Sequence, residues 1–96
     1  MTSSNTILVV QKAFEQRELT CKSLEEKGYD TIGVGSVMEA LSFLSYGSEA
    51  IRLVLTEQQL PDFSGHELKK RLEALPGGKV VPVVFLDNPI KAFIGK

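Results

Sequence analysis

Three short apolar runs and one segment rich in β-forming residues, residues 29–34, predict β-strands. They are residues 7–10 (ILVV), 29–34 (YDTIGV), 51–55 (IRLVL) and 80–86 (VVPVVFL). Runs that are nearly continuous in apolar residues and rich in β-branched side chains are typical of strands buried on both faces of a sheet. Arg52 interrupts the third run near its start, where a long side chain can reach water. Pro82 removes one backbone donor, which favours an early or edge position in the fourth strand.

Between the first two runs the apolar spacing becomes helical. Residues 13–27 predict a first helix, whose inner face is expected to carry Phe14, Cys21 and Leu24, with Leu19 off that face. A glycine follows directly and is placed to end the helix. Because Cys21 lies among apolar neighbours, we expect it to pack as a small hydrophobic residue.

Two capping boxes predict the beginnings of two later helices. Ser36 with Glu39, and Ser64 with Glu67, have the spacing in which the first side chain caps the helix and the second reaches back. Each of these helices is expected to end at a glycine-containing turn. The resulting βαβαβαβ order predicts a parallel sheet with helices on both faces.

The composition predicts one folded domain over residues 1–96. Hydrophobic residues make up 43% of the chain, charged residues 24%, and the formal net charge is −1. That charge gives no field that would attract nucleic acid or an anionic membrane. No apolar run reaches the roughly 18–20 residues needed to cross a bilayer, and residues 1–5 lack the features of a signal peptide. We therefore expect a cytoplasmic protein that binds no cofactor, no nucleic acid and no membrane.

The order and spacing of these segments resemble the receiver domains of two-component response regulators over about residues 6–86. The resemblance rests on short pieces in a fixed order: ILVV at 7–10, LEEKGY at 24–29, EAL at 39–41, LVL at 53–55, LPD at 60–62, Gly65 and VPVV at 81–84. It implies an α/β fold of the flavodoxin-like (CheY-like) class, a doubly wound parallel sheet in three αβα layers with strand order 2-1-3-4-5.

The same resemblance implies a role in two-component or phosphorelay signalling rather than an enzymatic activity. The expected partner is a protein: a signalling kinase, an output domain or another regulator. Association into a homodimer is left open.

The resemblance also marks the positions at which working receivers do their chemistry. The metal-binding acidic pair after the first strand corresponds to Gln11 and Lys12, the phosphoacceptor to Glu57, the hydroxyl position after the fourth strand to Asp87, and the terminal lysine of the fifth strand to Lys96. An amide and an ammonium are poor ligands for Mg²⁺. The extra methylene of a glutamate moves its carboxylate oxygens by about 1.5 Å. A misplacement of about 1 Å in a reacting group can already lower the rate of reaction about 100-fold. We therefore expect a degenerate receiver, or pseudo-receiver, that is not phosphorylated.

Three interpretations of these positions stay open. The Lys12 ammonium is predicted to occupy the vacated metal position and pair with Glu57, with Asp87 nearby, against the plainer expectation of two solvated side chains. A second interpretation is a divergent receiver that still accepts a phosphoryl group on Glu57 or Asp87. The third is a flavodoxin-like domain that binds a small molecule, although the sequence offers no loop that would cradle a phosphate.

Residues 87–96 depart from the family pattern. Residues 92–96 (AFIGK) resemble a fifth strand, yet only residues 87–91 separate them from the fourth, and a parallel crossover needs about a dozen residues. Either the fourth helix is deleted, or a segment is missing from the sequence, or the tail forms an antiparallel hairpin. We expect helices four and five to be truncated or missing. His66, beside the start of the third helix, is expected to have a structural role.

Overall fold

The elements follow the predicted alternation of strands and helices. A computed structural model describes residues 5–47, 51–74 and 81–86. The elements are β1 (Thr6–Val10), α1 (Phe14–Glu26), β2 (Asp30–Val34), α2 (Val37–Gly47), β3 (Ile51–Glu57), α3 (Gly65–Glu73) and β4 (Val83–Leu86). The predictions for Asp87, Lys96 and the fourth and fifth helices concern residues outside these ranges. Within the described ranges, no helix has the length and apolar character needed to cross a bilayer.

All neighbouring strands of the sheet run parallel, in the order β2-β1-β3-β4. Val10 at the end of β1 pairs with Val34 of β2 on one side and with Thr56 of β3 on the other. Glu57, the last residue of β3, pairs with Leu86 of β4. The strands therefore end together at one edge of the sheet, where this fold class gathers its functional residues.

Two hydrophobic clusters cover the two faces of the sheet. On one face, Leu24 of α1 is buried with residues from three of the strands: Ile7, Val9, Leu55 and Leu86. On the other face, α2 and α3 pack against alternate residues of β1 and against two residues of β3, and that cluster contains Leu8, Val10, Val37, Ala40, Leu44, Ile51, Val54, Leu68, Leu72 and Val81. Neighbouring residues of β1 thus point to opposite faces, as the period of two requires. The predicted three-layer αβα architecture is confirmed.

The predicted inner face of α1 is partly wrong. Leu24 is buried and Cys21 is half-buried, but Phe14 is 62% exposed, and Thr20 takes a buried place instead. Phe14 lies in the first turn, where its ring meets the Arg17 guanidinium, 5.4 Å from the ring centroid. Helical spacing sets which side of a helix a residue occupies, but not whether the sheet extends beneath that turn. Burial raises the pKa of the Cys21 thiol, despite a hydrogen bond with Thr31 that opposes the rise.

The two capping boxes are half formed. Ser36 Oγ accepts a hydrogen bond from the N–H of Glu39 at 3.2 Å, and Ser64 Oγ accepts one from the N–H of Glu67 at 3.0 Å. The Glu39 carboxylate reaches back to the N–H of Gly35 at 2.8 Å rather than to that of Ser36. The helix starts are therefore where the serines predict them, while the returning carboxylate bonds differ.

The fourth strand is shorter than the apolar run predicts, since it begins at Val83. Pro82 lies just before it, as its missing N–H favours. The Pro82 carbonyl still accepts a hydrogen bond from the N–H of Val54 at 2.9 Å. The proline thus joins β4 to β3 as an acceptor although it cannot donate.

Candidate functional site

The candidate site lies at the carboxyl ends of β1 and β3. Gln11 follows β1 directly, Lys12 comes next, and Glu57 ends β3. The pairing of Val10 with Thr56 places these three residues beside one another at the sheet edge. The structure thus brings together the described members of the predicted set. Asp87 and Lys96 lie outside the described residues.

Glu57 and Lys12 are in contact, but not through the predicted ion pair. The main-chain N–H of Lys12 donates a hydrogen bond to Glu57 Oε1 at 2.9 Å. Among the described residues the one ion pair is elsewhere, between Arg71 Nε and Glu67 Oε2 at 2.8 Å. The Lys12 side chain is exposed to solvent. The predicted pairing is therefore wrong in its donor: the backbone of the loop after β1, not the ammonium, contacts the carboxylate.

Gln11 is fully buried, and among the described residues its side-chain amide has no hydrogen-bond partner at either Nε2 or Oε1. Its backbone is fully engaged, since its N–H donates to the Val34 carbonyl at 3.1 Å and its carbonyl accepts from Arg17 Nη1 at 2.8 Å. Buried polar side chains in folded proteins nearly always have partners. The position at which the sequence resemblance leads us to expect an acidic residue thus holds a neutral amide that is unpaired within the described part of the chain.

Arg17 of α1 is hydrogen-bonded to the loop that carries Gln11 and Lys12. Its side chain crosses Gly33 of β2, where a Cβ atom would come within 3.1 Å of the arginine carbons, and then reaches the Gln11 carbonyl. Glycine at position 33 leaves room for this crossing. Sequence reasoning missed this contact because nothing in the local pattern links α1 to Gly33 of β2.

On the other side of the site, the loop between β3 and α3 and the first residue of α3 lie close to Glu57. A Cβ atom at Gly65 would collide with the main-chain oxygen of Glu57 and come within 3.0 Å of the Phe85 ring. The N–H of Gly65 donates to the carbonyl of Gln58 at 2.8 Å. Next to it, the His66 ring stacks on Phe85, with 4.4 Å between centroids. The close approach at Gly65 explains why glycine is needed there.

Asp62, in the same loop, caps the N-terminus of α2. Its carboxylate accepts hydrogen bonds from the N–H groups of Val37 at 3.0 Å, Met38 at 2.9 Å and Phe63 at 2.9 Å. Burial raises the pKa of Asp62, but the backbone donors outweigh it, and the net pKa lies below its usual value of 3.8. This residue too was missed, because the proline-aspartate pair indicated only a turn.

Solved structures decide the family of the chain. No protein-family profile matches it. The CheY-like response regulator receiver domain from Methylobacillus flagellatus superposes with a TM-score of 0.80 and 31% identity, over 88% of this chain and 70% of that one. This chain belongs to the response regulator receiver family.

A second solved receiver domain and a curated response regulator agree with this assignment. The receiver domain of a signal transduction histidine kinase from Syntrophus aciditrophicus matches with a TM-score of 0.77 and 32% identity, over 85% of this chain and 61% of that one. The two-component response regulator ORR1 of Oryza sativa subsp. japonica is 34% identical over 64 residues, or 62% of this chain. An uncharacterized 14.6 kDa protein of Leptolyngbya boryana is 32% identical over 80 residues. The chain spans only 28% of the length of the rice regulator.

The residues that the sequence resemblance assigns to a metal site do not fit a divalent cation. Mg²⁺ is held in proteins mainly by carboxylate oxygens and water. Here Gln11 presents a neutral amide, Lys12 presents a cation, and one oxygen of Glu57 already accepts the Lys12 N–H. Within the described part of the chain, no three His, Cys, Asp or Glu side chains are grouped to hold a metal ion.

Proposed function

We propose that this receiver domain signals by binding a protein partner and without being phosphorylated. Two-component signalling through receiver domains is the role of the family to which the chain belongs. The observation that carries the proposal is the state of Glu57, whose Oε1 is bound by the Lys12 N–H beside the neutral Gln11. A carboxylate in that position is already used as a structural acceptor.

Phosphoryl transfer to a carboxylate has requirements that these side chains do not meet. The nucleophilic oxygen must be placed in line with the phosphorus, and cations must neutralise the charge that spreads over the transferring oxygens. The carboxylates that would recruit a metal cation are replaced by Gln11 and Lys12. Lys12 supplies one positive charge, but it cannot bridge the phosphoryl group and the acceptor as a coordinated metal ion does.

Intact-mass spectrometry after incubation with acetyl phosphate and Mg²⁺ tests this proposal. The matched control is a receiver domain with a complete acidic site, treated in the same tube. We expect the control to gain one phosphoryl group and this chain to gain none. A stoichiometric gain on this chain would overturn the proposal, and its loss in Glu57→Gln would identify Glu57 as the acceptor. Retention of the phosphoryl group in Glu57→Gln would indicate Asp87 as the acceptor.

The proposed class of partner rests on the proteins to which this chain is similar. One structural relative is the receiver domain of a histidine kinase, and a curated relative is a response regulator. We therefore propose a signalling kinase, an output domain or another regulator as the partner, met in the cytoplasm. The near-neutral formal charge of −1 supports protein contact over nucleic-acid or membrane binding.

A further inference from the structure

One hydrogen bond crosses the region in which a working receiver holds its cation, and it joins the Lys12 N–H to Glu57 Oε1. We infer that this bond is an internal tether that takes the place of a divalent cation. It holds the loop between β1 and α1 against the end of β3, so that the arrangement of the site does not depend on metal. This inference rests on the proposed function, because it describes how the same site is kept in one state.

The length of the Glu57 side chain makes the tether feasible. A glutamate carries its carboxylate one methylene further than the aspartate expected at this position, which is about 1.5 Å. That extra reach brings Oε1 to 2.9 Å from the Lys12 nitrogen, a normal distance for this type of hydrogen bond. An aspartate at the same backbone position would fall short of the N–H unless the strand ends moved. The substitution that spoils the geometry for phosphoryl transfer thus creates the tether.

Both ends of the tether are anchored by separate contacts. On the β1 side, the Gln11 carbonyl accepts from Arg17 Nη1 at 2.8 Å, and the Gln11 N–H donates to Val34. On the β3 side, Gly65 packs against the main-chain oxygen of Glu57, and any larger residue would collide with it. Because the two backbone segments are fixed independently, the hydrogen bond joins two ordered elements rather than two freely moving loops.

The charges at the site also remove the need for a cation. Three carboxylates at these positions would repel one another and require a bound metal to offset them. In this chain Gln11 is neutral, and the formal charges of Lys12 and Glu57 cancel. A main-chain donor to an ionised carboxylate is among the stronger hydrogen bonds in proteins. The formal charges of the site residues that the structure describes therefore balance one another.

Residue-resolved amide hydrogen exchange tests the tether directly. Glu57→Asp keeps the charge but shortens the side chain, and Glu57→Gln keeps the length and an acceptor oxygen. We expect Glu57→Asp to speed exchange of the Lys12 amide about 10- to 100-fold, the range that corresponds to losing a hydrogen bond to a charged group. Glu57→Gln should change it by much less. Equal exchange of the Lys12 amide in the wild type and in Glu57→Asp would overturn the inference.

Glu39→Asp is the matched control, since the Glu39 carboxylate makes the same type of bond to the N–H of Gly35 at 2.8 Å. Shortening Glu39 should speed exchange at Gly35 and leave the Lys12 amide unchanged. Acceleration of the Lys12 amide by this control, as large as that caused by Glu57→Asp, would also overturn the inference, because the effect would then be general destabilisation.

Titration of the wild-type protein with MgCl₂, followed by NMR, needs no variant. We expect no saturable shift at the Lys12 amide or the Glu57 carboxyl group, whereas a saturable shift there would overturn the inference. This outcome is separable from the proposed function. Phosphorylation without Mg²⁺-dependent shifts in the free protein would overturn the proposed function and leave the tether standing. Saturable Mg²⁺ binding without phosphorylation would overturn the inference of a tether and leave the proposed function standing.

Discussion

Replacing Gln11 by methionine measures the cost of its unpaired amide. The side chain is fully buried, and neither polar atom has a hydrogen-bond partner in the ranges that the structure describes. Mutational data place the cost of burying such a group unpaired at about 1–3 kcal/mol. Methionine has nearly the same length and volume and carries no hydrogen-bonding group. We therefore expect Gln11→Met to raise the free energy of unfolding by about 1–3 kcal/mol, with about 4–8 °C in Tm for each kcal/mol.

Equilibrium urea unfolding, followed by far-ultraviolet circular dichroism, gives this difference. Gln16→Met is the matched control, because Gln16 is exposed on α1. It should stay within about 0.5 kcal/mol of the wild type. Gln11→Glu, which adds a charge at the buried position, should lower the stability. A Gln11→Met variant that is no more stable than the wild type would refute the reasoning, since the amide would then have a partner in solution.

Three further predictions concern the loop contacts and the site. Asp62→Ala should lower the free energy of unfolding by about 0.5–2 kcal/mol in urea melts at pH 7, because α2 loses its cap. Folding lowers the pKa of Asp62, so the stabilisation by its ionised carboxylate is complete above the unfolded-state pKa of 3.8 and is lost as the pH falls through the lower folded-state pKa. Plots of the free energy of unfolding against pH for the wild type and Asp62→Asn should therefore converge at the acidic end. Gly65→Ala should lower the stability measured by thermal melts by about 1–3 kcal/mol, because its Cβ would meet Glu57 and the β4 aromatic ring. The combined variant Gln11→Asp, Lys12→Asp and Glu57→Asp should gain saturable Mg²⁺ binding by isothermal titration calorimetry, because it restores the carboxylate ligands.

Each of these expectations has a result that would contradict it. Unchanged stability in Asp62→Ala would mean that solvent replaces the cap of α2 without cost. A neutral Gly65→Ala would show that the end of β3 shifts freely. A triple variant that folds but binds no Mg²⁺ would show that carboxylates at positions 11, 12 and 57 are not sufficient to hold the ion.

The fold was predictable because local patterns encode it. Three apolar runs and one segment rich in β-forming residues, separated by helical spacing, predicted the strand and helix order, and serines at 36 and 64 marked two helix starts within the chain. The site was predictable in position, since the carboxyl ends of parallel neighbours meet at one edge. Its chemistry was predictable only in part. The sequence indicated that Lys12 and Glu57 would be close, but it could not indicate that the backbone donates the hydrogen bond.

The contacts that sequence reasoning missed join residues far apart in the chain. Asp62 reaches Val37 across 25 positions, and no local signal connects a loop aspartate with a distant helix. Phe14 illustrates the same limit, since its helical spacing was apolar but its ring lies exposed beside Arg17. Whether a side chain is covered depends on what lies opposite it, and that depends on packing between elements.

The sequence by itself determined the alternation of elements, the near-neutral charge and the presence of an amide and an ammonium, at Gln11 and Lys12, directly after the first strand. These are properties of residue type and spacing, which act through local backbone preference and burial period. Only the tertiary structure decided that the Gln11 side chain is buried with no partner among the described residues and that Glu57 binds the Lys12 backbone. Hydrogen bonds depend on distances and angles within a few tenths of an ångström, and those are set when separate elements pack together.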